Sequence, residues 1–211
     1  MKIRTLGQLQ TALDEDIAWR VKEIADMKLA AKRNDGLSER TLIRAGIAIL
    51  YAHWEGFVKS AAQAYINFVD SQGKTYGELQ TCFAVLGISK QMTELVKAKK
   101  ARVRIAAVDF IRQSSATPSK LQKFNVDTKS NLKAEVFENI ALSIGIGIQP
   151  YESRFKLMDE SLLSRRNKIA HGEFVDLDAD AWRDLADEVI FLMRSFKTDI
   201  ENAASTSAFV R

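Results

Sequence analysis

No proline interrupts the stretch from Ser38 to about Val69, and apolar residues recur around the whole turn of a helix along it. Such a segment folds as one long helix buried on most sides, and the rest of the chain must wrap around it. The whole sequence holds only two prolines and ten glycines in 211 residues, so chain breakers are scarce. This predicts an all-α protein, an up-down helical bundle, with residues 72–130 as a helical elaboration within a single domain of residues 1–211.

Other helices follow from spacing. Leu6, Leu9, Leu13, Ile17, Val21, Ile24 and Leu29 mark a first helix over 6–32, closed by a turn at Lys32–Gly36, and Ser38 reads as the cap of the second. Short helices are expected near 77–86, 90–98 and 101–113, a loop from Ser114 to Ser119, and a helix over 129–143 capped by Asp127 or Thr128. Gly145 and Gly147 break the chain, and Pro150 suits the first turn of the next helix. Tyr151, Phe155, Met158 and Leu162 form its stripe, and His171-Gly172 closes it or breaks it. A last helix, capped by Asp178 or Asp180, buries Trp182, Leu185, Val189, Met193, Phe196 and Ile200. The last ten residues read as frayed. Residues 103–108 and 173–177 are the only strand-like runs, and neither has a convincing hairpin partner. Trp19, Trp54 and Trp182 are spaced as core residues.

Composition narrows the function. One cysteine makes neither an internal disulfide nor a multi-thiolate zinc site, and Cys82 reads as core filling. The N-terminal stretch has no signal-like apolar run and nothing approaches a membrane span, so a cytoplasmic protein without membrane contact is expected. No Walker-type loop is present, and Gly145-Ile146-Gly147 lacks the third glycine of a dinucleotide site. The net charge is only +4, yet Lys90 to Lys133 holds eleven Lys/Arg against three Asp/Glu, a local +8 that leaves −4 elsewhere. Lys97, Lys99, Lys100, Arg102 and Arg104 concentrate that charge and are candidates for gripping a polyanion such as RNA.

The chemistry-bearing stretch is Leu162-Leu163-Ser164-Arg165-Arg166-Asn167-Lys168-Ile169-Ala170-His171-Gly172, an R-N-x-x-x-H pattern from Arg166 to His171 followed by glycine. It resembles the signature of the HEPN superfamily. Tyr51-Ala52-His53-Trp54-Glu55-Gly56-Phe57-Val58 and the segment Val126–Lys133 are similar to the toxin-like branch called RiboL-PSP-HEPN. The resemblance covers about residues 40–195. It implies an all-α domain that dimerises and acts as a metal-independent endoribonuclease, in toxin–antitoxin or phage-defence systems with an antitoxin or regulatory partner. It also admits an inactive module that binds RNA or protein. The residues fit such chemistry. Histidine titrates near neutrality, which suits His171 to proton transfer. The Arg166 guanidinium grips phosphate oxygens. Asn167 holds phosphate or orients His171, and Arg165 and Lys168 steer the RNA backbone. No cofactor or metal is required, although carboxylates leave Mg²⁺ open.

Spacing adds geometry. Positions five apart on a helix differ by about 140°, so Arg166 and His171 point to different sides. Either the helix breaks between them, or a second chain completes the site, as in a two-fold dimer with a composite active site. On the second helix Arg44, Tyr51 and Glu55 fall within about 40° of one another. Buried charge needs a partner, and Glu55 is expected to meet Arg166 or His171. His53 lies on the opposite face with Gly46, Gly56 and Ser60. It reads first as a packing histidine and second as a supporting site residue.

Overall fold

A computed structural model describes residues 3–121 and 124–211. Its helices are α1 (Leu6–Lys32), α2 (Gly36–Ser71), α3 (Thr81–Lys97), α4 (Ala101–Gln113), α5 (Ala134–Ser143), the single turn α6 (Gln149–Glu152), α7 (Arg165–Ala170) and α8 (Ala179–Ser205). A widened, π-helical stretch, Leu157–Ser164, runs directly into α7. The all-α expectation holds.

Helices α1, α2 and α8 pack against one another. Lys197 pairs with Asp14 at 2.9 Å and Lys28 with Asp187 at 2.6 Å, which sets α8 antiparallel to α1. The contacts of Asp16 with Ser60 and of Glu23 with His53 set α1 antiparallel to α2. Phe137 of α5 lies among Trp54, Tyr151 and Phe196, with ring centroids 5.0–5.4 Å away. All six residues expected on the inner face of α8 are buried. Asp178 caps that helix by accepting from the Ala181 N–H at 2.7 Å.

Glycines mark close approaches. A Cβ on Gly46 would stand 2.7 Å from Cζ2 of the buried Trp182, and one on Gly56 would stand 2.7 Å from Nη1 of Arg20. Arg20 is buried on the face opposite Tyr51. It bonds Asp16 through Nε at 3.1 Å and reaches the His53 carbonyl at 3.4 Å. His53 Nε2 comes within 2.7 Å of Glu23 without hydrogen-bond alignment. Burial is the main cause that pulls the His53 pKa below its usual value; Glu23 opposes that shift. His53 is therefore part of a polar α1–α2 seam.

Several expectations are corrected. Helix α2 begins at Gly36 behind Asp35, not at Ser38. The two short helices expected over 77–98 are one, Thr81–Lys97, which runs through Gly87 without a break. The helix expected over 101–113 is α4, so the strand-like run 103–108 is helical there despite its β-branched side chains. Residues 173–177 are irregular chain with no strand partner among the described residues. Residues 129–133 precede α5 as irregular chain. The terminal residues are ordered, not frayed: Phe209 is buried edge-on to Phe68, and its carbonyl accepts from the Gln80 N–H at 2.8 Å. Trp54 and Trp182 are core, but Trp19 is 50% exposed, lying against His53 and under Arg20 on the rim of the seam.

Candidate functional site

The motif helix is built by its two ends. At its start the π-helical stretch buries Met158, Leu162 and Leu163. Such widened turns recur where a helix must re-aim its side chains. At its end the Gly172 N–H bonds the Ile169 carbonyl at 3.0 Å, and the Glu173 N–H bonds that of Lys168 at 2.8 Å. With Gly172 at φ 77°, this is a Schellman closure with His171 as the C-cap. No break therefore separates Arg166 from His171. As the spacing requires, they face different ways.

Arg166 turns onto α2. Its guanidinium carbon sits 4.7 Å from the centre of the Tyr51 ring, and Nη1 donates to Asn167 Oδ1 at 2.8 Å. His171 is exposed. It lines a groove of about 420 Å³ together with Asn167 and Lys168. Arg165 does not line the groove; it reaches back to the Ser161 carbonyl at 3.4 Å.

The rest of the groove is lined by Asp159, Leu163, Ser164 and Glu173, which flank the motif in sequence, and by Asn131 and Lys133, which spacing and composition do not single out. Asn131 and Lys133 come from the irregular chain before α5. That chain is tied to successive turns of α2. Gln63 Oε1 accepts from the Val126 N–H at 3.1 Å, Glu55 accepts from the Thr128 hydroxyl at 2.6 Å, and the Tyr51 hydroxyl accepts from the Leu132 N–H at 2.6 Å. Asp159 adds a bond from the Ala134 N–H at 2.8 Å. Only the presence of Val126–Lys133 as a recognisable segment hints at this wall.

The polar stripe on α2 thus has a different use from the one expected. Among the described residues Glu55 makes no ion pair with Arg166 or His171; it holds Thr128 instead, and meets the motif through its neighbour Tyr51. Burial foremost, and then the Glu55 carboxylate, push the Tyr51 phenol up to about 12, against the opposing pull of the Leu132 N–H and Arg166. Tyr51 therefore stays a neutral hydroxyl. Arg44 donates through Nη1 to the Glu173 carbonyl at 2.7 Å and fixes the chain just past His171. His53, on the far side of α2, does not join this group.

Lys97, Lys99, Lys100, Arg102 and Arg104 are all exposed around the α3–α4 turn, where Arg104 Nε donates to the Ala98 carbonyl at 2.7 Å. None of the five lines the groove. Among the described residues no three His, Cys, Asp or Glu side chains cluster as a metal centre would require. No helix among them is long and apolar enough to cross a membrane.

With the R-N-x-x-x-H segment lying against the long central helix, comparison with known families becomes decisive. The sequence model of the HEPN_MAE_28990-like HEPN family matches residues 9–209. The chain belongs to the HEPN superfamily. Searches of curated proteins and of solved structures each give no significant match. The HEPN assignment spans both walls of the groove and the α3–α4 hairpin, and it marks the protein as a nuclease-like or RNA-related module.

Proposed function

We propose that this HEPN protein is an endoribonuclease that cuts RNA, single-stranded or structured, without a metal, through the ribose 2′-hydroxyl. A base removes the 2′-OH proton. The 2′-oxygen attacks the adjacent phosphorus as the bond to the 5′-oxygen breaks, and that oxygen leaves with a proton from an acid. The products are a 2′,3′-cyclic phosphate and a 5′-hydroxyl. His171 performs proton transfer, and Asn167 positions the phosphate. Arg166 supplies charge through guanidinium donors not used by Asn167. Lys168 steers the backbone within the groove, with Arg165 beside it. Lys97, Lys99, Lys100, Arg102 and Arg104 grip RNA farther along.

The observation that carries this reading is the exposed His171 on a groove shared with Asn167 and two lysines, Lys133 and Lys168. A single histidine on the groove and an Arg166 facing another way favour a homodimer, each copy supplying its His171 to a composite site. In this reading the chain is one HEPN-like domain with residues 72–130 as its basic elaboration. It works in the cytoplasm as a toxin or phage-defence factor restrained by an antitoxin.

A second reading rests on Arg166 being folded onto Tyr51: an inactive HEPN module that binds RNA or a partner protein. The test is cleavage of labelled RNA in EDTA by wild type and His171→Ala. The nuclease reading expects cleavage that falls at least about a hundredfold in the variant. A well-folded wild type that binds RNA and leaves it intact selects the second reading.

A further inference from the structure

The α3–α4 hairpin is clasped at its base and left uncovered along its length. The Tyr76 N–H donates to the Thr117 carbonyl at 3.1 Å and the Gly77 N–H to that of Ser115 at 2.9 Å. Beyond that clasp α3 buries only Phe83 and Leu86, and α4, which packs chiefly on α3, only Ala107. Of the thirteen large apolar side chains exposed among the described residues, seven lie on these two helices. Helical phase, at about 100° per residue, sorts them. Val85, Met92 and Val96 share one stripe of α3, and Ile105 and Val108 share one stripe of α4. Because α4 returns antiparallel to α3, both stripes fall on the same side of the hairpin. Phe110 belongs to the other side, where it lines a cleft with Tyr76 and Phe124. The uncovered side includes Val96, 78% exposed, and Ile105, 60% exposed. An exposed apolar face of this kind marks an interaction site.

Charge narrows what can cover it. From Val85 to Arg112 the chain holds seven Lys/Arg against two Asp/Glu. RNA answers that charge but not the apolar stripes, since aliphatic side chains offer no ring on which a base stacks. A second copy docked hairpin to hairpin would set like charge against like charge. The two stripes contain no Trp, Phe or Leu, the side chains that hold an interfacial helix in a bilayer. From Val85 to Val96 the α3 stripe runs about 16 Å, or about three helical turns. A helix with apolar residues at i, i+3, i+4 and i+7 and with acidic flanks answers length, stripe and charge together. Met92 is the kind of side chain that adapts to such a guest.

We propose that the uncovered side of the α3–α4 hairpin docks an acidic amphipathic helix of a partner protein. Val85, Met92, Val96, Ile105 and Val108 take its apolar stripe, and the surrounding lysines and arginines take its carboxylates. The docking does not depend on the nuclease reading. Its consequence does: a helix seated there neutralises the cations that reach for RNA, so partner and RNA exclude each other.

The test is a fluorescence-anisotropy titration of the full chain with three synthetic helical peptides of about twenty residues. One has a leucine stripe flanked by glutamates, the second the same stripe flanked by lysines, and the third the glutamates with serines in place of the leucines. The first should bind roughly tenfold tighter than either of the others. Met92→Ser combined with Val96→Ser should weaken it about tenfold, with melting unchanged because both side chains are exposed. Equal binding of the lysine-flanked peptide overturns the proposal, as does equal binding of the peptide without a stripe, full binding by the double variant, or no binding of any peptide. Two further assays cover the rival occupants: sedimentation of the chain alone, and pelleting with phosphatidylcholine vesicles containing about one third phosphatidylglycerol. Self-association or vesicle binding that the double variant abolishes assigns the face to a second copy or to a bilayer and overturns the proposal. RNA cleavage is read separately. Docking without cleavage keeps this inference and removes the nuclease, and cleavage without docking does the reverse.

Discussion

The Tyr51 ring carries the Arg166 guanidinium on its face at 4.7 Å, so the central helix fixes the first residue of the motif. The hydroxyl of the same ring accepts from the Leu132 N–H on the other wall of the groove. One side chain of α2 thus spans both halves of the candidate site. Replacing Tyr51 by Phe keeps the platform and leaves the Leu132 N–H unpaired, at about 1–3 kcal/mol. Thermal melting should show that loss with cleavage largely retained at low temperature. Tyr51→Leu removes both interactions and should lower cleavage further, measured at matched folded fraction.

Two glycines give opposite expectations. Gly7 lies in the first turn of α1 with open space around it, so Gly7→Ala should stabilise by up to about 1 kcal/mol. At Gly46 the added carbon would press on the Trp182 ring, a buried group that has nowhere to move. Gly46→Ala should cost about 1–3 kcal/mol by overpacking. Paired urea melts read both signs.

Acid should weaken the α1–α2 seam. Burial, as the main cause, holds the pKa of His53 below its usual value, against the opposing pull of Glu23 and Asp16 and with Arg20 reinforcing it. The unfolded chain therefore takes up a proton that the folded chain resists. His53's contribution is complete above about pH 6.5 and declines as pH falls through that value toward the lower folded pKa. His53→Gln should flatten this part of the stability–pH curve. An unchanged curve below about pH 6.5 would refute the assignment.

The tip of the α3–α4 hairpin should act through charge alone. Lys99→Ala, Lys100→Ala and Arg102→Ala combined should weaken RNA binding. They should also reduce its salt dependence by about 0.7 in log–log slope for each phosphate no longer neutralised. Titrations at several salt concentrations measure this, and melting should be unaffected because all three side chains are exposed.

The helical framework was legible because periodic apolar spacing survives in sequence: the inner face of α8 and the closure at His171-Gly172 lie where spacing puts them. The stripe of Arg44, Tyr51 and Glu55 was also legible as a stripe. Its partners were not, because they are backbone groups of Glu173 and Leu132 and a hydroxyl on Thr128, and backbone groups leave no residue signature. Asn131 and Lys133 were hidden for the same reason, being placed by an irregular segment whose left-handed residues are not glycines. The strand-like run 103–108 is helical in α4, as the helix expected over 101–113 and the lack of a hairpin partner both require.

The widened turns of Leu157–Ser164 spread more residues over each turn than an ordinary helix does. The phase of everything after them depends on residue count. Inserting one further residue there would turn the downstream motif by about 100°. Arg166 would then leave the Tyr51 ring and His171 would leave the groove with the sequence of the motif untouched. The length of that stretch is therefore as much a part of the motif as the letters that follow it.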